Sequence, residues 1–113
     1  MITKFELINP METIAPRNGK GVSYNFPYEI LKGLSGTVKA FNHMRLDEHS
    51  AIGYHQHIDD LEIYIITEGT GIYNDNGKEV EVTVNDVMLC NKGEYHGIAS
   101  KSGKLDFIAV IIS

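Results

Sequence analysis

His55-Gln56-His57, followed by Glu62, places two imidazoles and a carboxylate in one short stretch of the chain. Alternate residues on a strand point to the same side, so both imidazoles enter the same space. Two neutral imidazoles side by side suit a divalent metal ion. The loop Ile58-Asp59-Asp60-Leu61 lets the chain fold back and sets Glu62 at the start of the next strand. There an unpaired carboxylate would be costly to bury, and metal ligation accounts for it. His96 lies far along the sequence but also begins a strand after a Gly-containing turn. If antiparallel neighbours bring these strand starts to one end of a barrel, three imidazoles and one carboxylate converge. A divalent ion held there keeps a net charge of about +1 and open positions for water or a ligand.

The elements that must position these side chains read as strand after strand. Thr37 to Leu46 mixes apolar and polar residues, and Glu62 to Thr67 is rich in β-branched and aromatic types. Tyr64 and Ile66 share the face of Glu62, so both should line the interior near the metal, with Tyr64 as a candidate substrate-binding residue. A buried tyrosine needs a hydrogen-bond partner, which the site or a substrate would supply. Asp75-Asn76-Gly77 between Gly71 to Asn74 and Lys78 to Val84 is a hairpin signal, because Asn and Gly tolerate positive φ. Val87 to Cys90 and Tyr95 to Ser100 read as further strands, and Lys104 to Ile112 as a fully buried closing one. No segment after Gly36 shows a helical apolar period, so the domain is all-β, a sandwich or barrel.

Residues 1 to 35 are an N-terminal extended segment, in which Pro10, Pro16, Pro27 and Asn18-Gly19-Lys20-Gly21 imply extended chain and turns. Tyr28 to Leu31 reads as a strand or a single helical turn, and the barrel then runs from 36 to 113. His43 and His49 have no partner at ligand spacing and read as surface or turn histidines. Asp59 and Asp60 read as a solvated loop at the barrel mouth, with a supporting role beside the metal as the alternative. Cys90, the single cysteine, follows an apolar run and reads as a buried, inert thiol.

Composition narrows the function classes. With 113 residues, 42% hydrophobic and 22% charged, the chain is one ordinary domain. Ten Lys and Arg against fifteen Asp and Glu give a net charge of −5 without a basic cluster, which argues against nucleic acid or anionic membrane as partners. The start Met1-Ile2-Thr3-Lys4-Phe5 lacks an apolar signal core, and no run approaches the roughly 18 apolar residues of a membrane span, so a cytoplasmic protein is expected.

Gly53-Tyr54-His55-Gln56-His57-Ile58-Asp59-Asp60-Leu61-Glu62 with Gly69 resembles the first motif of the cupin superfamily. Asn85-Asp86 through Gly93-Glu94-Tyr95-His96 resembles its second. Asn85 and Asn91 replace the usual Gly and Pro of the second motif, and Glu48-His49 replaces a Pro-Gly turn. All three departures are turn positions, where Asn and His adopt positive φ more readily than most residues. The resemblance implies a jelly-roll barrel, or double-stranded β-helix, holding one divalent metal through His55, His57, Glu62 and His96. Manganese or iron is favoured, and zinc and nickel are the other candidates. It further implies a decarboxylase-like or dioxygenase-like enzyme acting on a small carboxylic acid or diketone. The alternative is a binding or sensing module that anchors a ligand at the metal without turnover. Oxalate decarboxylases carry an Arg where this chain has Ile52, and whether Arg45 substitutes depends on which way it faces. Many small members form homodimers by pairing N-terminal strands, a role that Met1 to Lys32 would suit.

Overall fold

Residues 1–113 are all described in a computed structural model, in which the alternating runs become short strands joined by turns. In chain order these are β1 (Ile2–Thr3), β2 (Met11–Ile14), β3 (Val22–Asn25), β4 (Val38–Leu46), β5 (Ala51–Gln56) and β6 (Leu61–Glu68). They continue as β7 (Thr70–Asp75), β8 (Lys78–Thr83), β9 (Val87–Cys90), β10 (Tyr95–Ser100) and β11 (Leu105–Ile112). Two antiparallel sheets face each other, one in the order β1-β9-β6-β11-β4 and the other β5-β10-β7-β8, while β2 and β3 form a separate hairpin. This is the all-β jelly-roll barrel expected from the sequence. No helix is long and apolar enough to cross a membrane.

Local chemistry explains the tight corners. At the β7–β8 hairpin, Asn76 (φ 53°) and Gly77 (φ 98°) both take positive φ, the geometry whose twist matches the flanking strands. His49 (φ 60°) and Asn85 (φ 72°) also adopt positive φ at their turns, whereas Asn91 does not. Gly69 joins β6 to β7 at φ +88°, and a Cβ there would sit 2.4 Å from the Lys104 carbonyl oxygen, so only glycine fits.

Alternation decides the core. The inward face of β6 buries Tyr64 and Ile66 with Tyr73, Val82, Met88, Ile98, Leu105 and Phe107 between the sheets. Its outward face, with Leu61, Ile63, Val87 and Leu89, is also covered, because Tyr28, Ile30, Leu31 and Leu34 of the N-terminal segment pack over it. Tyr28 to Leu31 contains a single 3₁₀ turn at Glu29–Leu31, and the Tyr28 hydroxyl donates to the Asn85 carbonyl at 2.7 Å. Ile2–Thr3 extends the five-stranded sheet by pairing with β9.

The closing strand differs from the sequence expectation. Leu105 to Phe107 and Ala109 are buried, but Ile108 and Val110 to Ile112 are only partly so. Hydrophobicity alone suggested a strand covered on both faces; instead Ala109 and Ile111 line an open pocket.

On the outer face, Arg45 grips Asp106 with two hydrogen bonds of 2.9 Å, and His43 reaches the same carboxylate at 2.9 Å. The guanidinium, and then the His43 hydrogen bond, hold the Asp106 carboxyl well below the usual aspartate range. A group depressed in the folded state stabilises the fold above its unfolded pKa, near 4, and loses that contribution as pH falls further. Asp106→Asn should therefore flatten the part of an acid-unfolding curve below about pH 4. An unchanged slope there would show that this cluster does not contribute.

Candidate metal centre

His55, on β5, faces inward because of a bulge. The β5–β10 register runs His96↔His55 and then Ile98↔Ile52, so β5 carries one extra residue at Gly53–Tyr54. Ile52 and His55, three apart, consequently both line the interior. The Gly53 carbonyl accepts a hydrogen bond from His55 Nδ1 at 2.6 Å. A carbonyl can only accept, so the hydrogen sits on Nδ1 and Nε2 presents its lone pair.

His57 lies one residue beyond β5, fixed by its amide donating to the Glu94 carbonyl and its carbonyl accepting from Gly93. Its Nδ1 donates to Asp60 Oδ1 at 2.7 Å. Asp60 thus orients the ring, while Asp59 stays exposed in the loop. His96 is almost wholly buried at the start of β10, with Nδ1 2.9 Å from the Tyr73 hydroxyl and its ring stacked on Tyr64 at 5.0 Å.

The inward atoms converge. His57 Nε2 and His96 Nε2 are 3.0 Å apart, and each lies 3.2 Å from Glu62 Oε1. One ligand atom from each of His55, His57, Glu62 and His96 falls within 4.8 Å of the others. This donor set fits a divalent cation. Where both outer nitrogens carry the hydrogen, two imidazole lone pairs and a carboxylate oxygen face one another, an arrangement that needs positive charge between them. Burial would raise the Glu62 carboxyl, but His96, His57 and Tyr64 together outweigh it and hold it below its usual value. Burial lowers His96 against the opposing pull of Glu62, favouring the neutral ring that a metal requires.

The pocket beside these atoms, about 310 Å³, lies between β4 and β5, the end strands of the two sheets. Tyr64 is on its wall, its hydroxyl held far above the normal tyrosine range by burial and the neighbouring Glu62, so it stays a proton donor. Ala40, Asn42 and Met44 of β4 line the opposite side. Strand alternation sends Arg45 the other way, onto Asp106, so it does not serve the pocket. His43 sits in that outer cluster and His49 is exposed in its turn, both apart from the metal cluster.

Cys90 is buried beside Glu62 in the β6–β9 register. Burial, and then Glu94, push its thiol up to about 12. The folded protein should therefore resist thiol reagents at neutral pH and react fully once unfolded. Rapid labelling of native protein by a chromogenic disulfide would contradict the buried placement.

Two supporting features are not legible in the sequence. Tyr73 had a weak signal, since a buried tyrosine must find a partner, but only the pairing of β7 with β10 shows that the partner is His96. The Gly53–Tyr54 bulge had none, because strict alternation places Ile52 opposite His55.

The sequence matches the cupin domain over residues 42–112. The oxalate-binding protein of Thermotoga maritima is 33% identical over 113 residues, covering 99% of this chain and 93% of that one. A crystal structure from the same organism, described as a predicted oxalate decarboxylase, aligns with a TM-score of 0.66 at 33% identity, over 99% of this chain and 98% of that one. KdgF from Halomonas sp. aligns with a TM-score of 0.62 over 67% of this chain and 74% of its own, at 15% identity, a likeness of fold alone.

Proposed function

This chain belongs to the cupin family, and from that premise we propose that it is a metal-dependent protein acting on a small carboxylic acid or diketone. The observation that carries the reading is the convergence of three imidazole nitrogens and one carboxylate oxygen beside an open pocket. His55, His57, Glu62 and His96 would hold one divalent ion, manganese or iron in preference to zinc or nickel. Bound there, such an ion supplies Lewis acidity and, for manganese or iron, a redox centre. Gly53, Asp60 and Tyr73 orient the imidazoles, and the Tyr64 hydroxyl donates to Glu62 from the pocket wall.

A second reading, a module that binds without turnover, is favoured by the lining. Apart from Tyr64 and the proposed ligands, no wall residue carries a transferable proton, and a relative at 33% identity is named for binding oxalate. Metal analysis of protein purified without chelator tests the shared premise. Close to one equivalent is expected; less than about a tenth, with none taken up from added Mn, Fe, Ni or Zn, would overturn it. Oxygen consumption and carbon dioxide release against small acids and diketones then decide between enzyme and binder.

Two copies of the chain are proposed to pair through the N-terminal arm. Every residue of β2 and β3 is exposed, including Met11, Ile14, Val22 and Tyr24, and an isolated two-stranded hairpin is marginal in water. A monomeric mass of 12.6 kDa in solution at micromolar concentration would refute the pairing.

A further inference from the structure

Resting on the metal-dependent reading above, we propose that the pocket selects a small chelating monoanion with an apolar tail, of the 2-oxo or 2-hydroxy carboxylate class, over an oxalate-type dicarboxylate. The first ground is what the wall is made of. Beyond His55, His57, Glu62 and Tyr64 it consists of Ala40, Met44, Ile52, Ala109 and Ile111, with Asn42 as its remaining polar side chain. Its 310 Å³ falls at the small end of the roughly 300–1,000 Å³ typical of organic-ligand sites. A two-carbon diacid would leave the apolar surface uncovered, whereas an alkyl tail gains about fourfold in affinity per buried methylene.

The second ground is charge. A divalent ion with the Glu62 carboxylate has a net charge of about +1, which one carboxylate neutralises. A second negative charge finds no lysine or arginine on the wall. Arg45, on the strand β4 that lines the pocket, turns away from it and holds Asp106 on the outer face. In a site walled by apolar side chains, an uncompensated charge is expensive. Asn42, exposed at the pocket and hydrogen-bonded to no other side chain, offers a neutral amide to an uncharged ligand oxygen.

Calorimetric titration of Mn(II)-loaded protein with oxalate, pyruvate and 4-methyl-2-oxopentanoate tests this. Pyruvate and 4-methyl-2-oxopentanoate share a head group and differ by three tail carbons, so the latter should bind at least about tenfold more tightly than pyruvate, and also more tightly than oxalate. Asn42→Arg adds a cation at an exposed wall position without touching the core, and should move the preference towards oxalate by about tenfold or more. Oxalate binding as tightly as the tailed acid, or no binding of the tailed acid to metal-loaded protein, would overturn the inference and leave the metal site standing. Failure to load Mn(II) or any other divalent ion would overturn the metal reading itself.

Discussion

His96→Ala will abolish metal retention, lowering the metal content of protein purified without chelator from near one equivalent to below about a tenth. His96 links the two sheets of the site: it enters from β10, while Glu62 enters from β6 of the opposite sheet. Its Nε2 lies 3.0 Å from His57 Nε2 and 3.2 Å from Glu62 Oε1, so its loss removes one donor from the centre of the set. Affinity should fall by at least about 100-fold, more than the 10–100-fold typical of disturbing a residue that merely supports a ligand. The variant should also lose metal-induced stabilisation, which for wild type at a thousandfold excess over Kd is about 4 kcal/mol. Tyr73→Phe separates donation from packing, because it keeps the ring in place but removes the oxygen beside Nδ1. It should weaken metal binding by about 10–100-fold and lower the melting temperature of the metal-free protein by only about 4–8 °C, the cost of one buried ring nitrogen left without its partner. Wild-type metal content in His96→Ala would show that the centre lies elsewhere.

His96 also shows how far the sequence could be read. The strand pattern and the ligand types of His55, His57 and Glu62 were legible because strand alternation and a short loop fix their directions locally. The return of β10 beside β5, which sets His96 opposite His55, is a long-range pairing that periodicity does not encode; the motif resemblance supplied it. Turn chemistry was legible where positive φ demands particular residues, as at Asn76-Gly77, His49 and Asn85. The direction of Arg45 depends on the register of β4, which only the pairing with β11 determines. The N-terminal segment was least legible. Its apolar residues lack a period because Tyr28, Ile30, Leu31 and Leu34 cover a sheet face from an irregular path rather than from a strand or helix.

The residue that ties this segment down is Asp86, which the sequence marks only as part of a turn. It is 1% exposed. Its Oδ1 accepts from the Phe5 amide at 3.0 Å, and its Oδ2 accepts from the Thr83 amide at 2.8 Å and from the Lys4 ammonium. One carboxylate thereby closes the turn after β8 and clamps the chain following β1 to it. Asp86→Ala should destabilise the protein by about 3 kcal/mol, because two backbone donors lose their acceptor and a partly buried ammonium loses its partner. For a chain of this length that is a fall of about 12 °C in melting temperature. Asp86→Asn keeps an acceptor oxygen but not the charge, and should cost roughly half as much. Hydrogen exchange gives the local signature: the Phe5 and Thr83 amides should both lose protection in Asp86→Ala, and one of the two in Asp86→Asn. The metal cluster shares no side-chain bond with Asp86, so folded Asp86→Asn should still load metal. A melting temperature within about 3 °C of wild type for Asp86→Ala would mean that β1 is held by its pairing with β9 and by the Met1 amine on the Leu89 carbonyl, without the carboxylate.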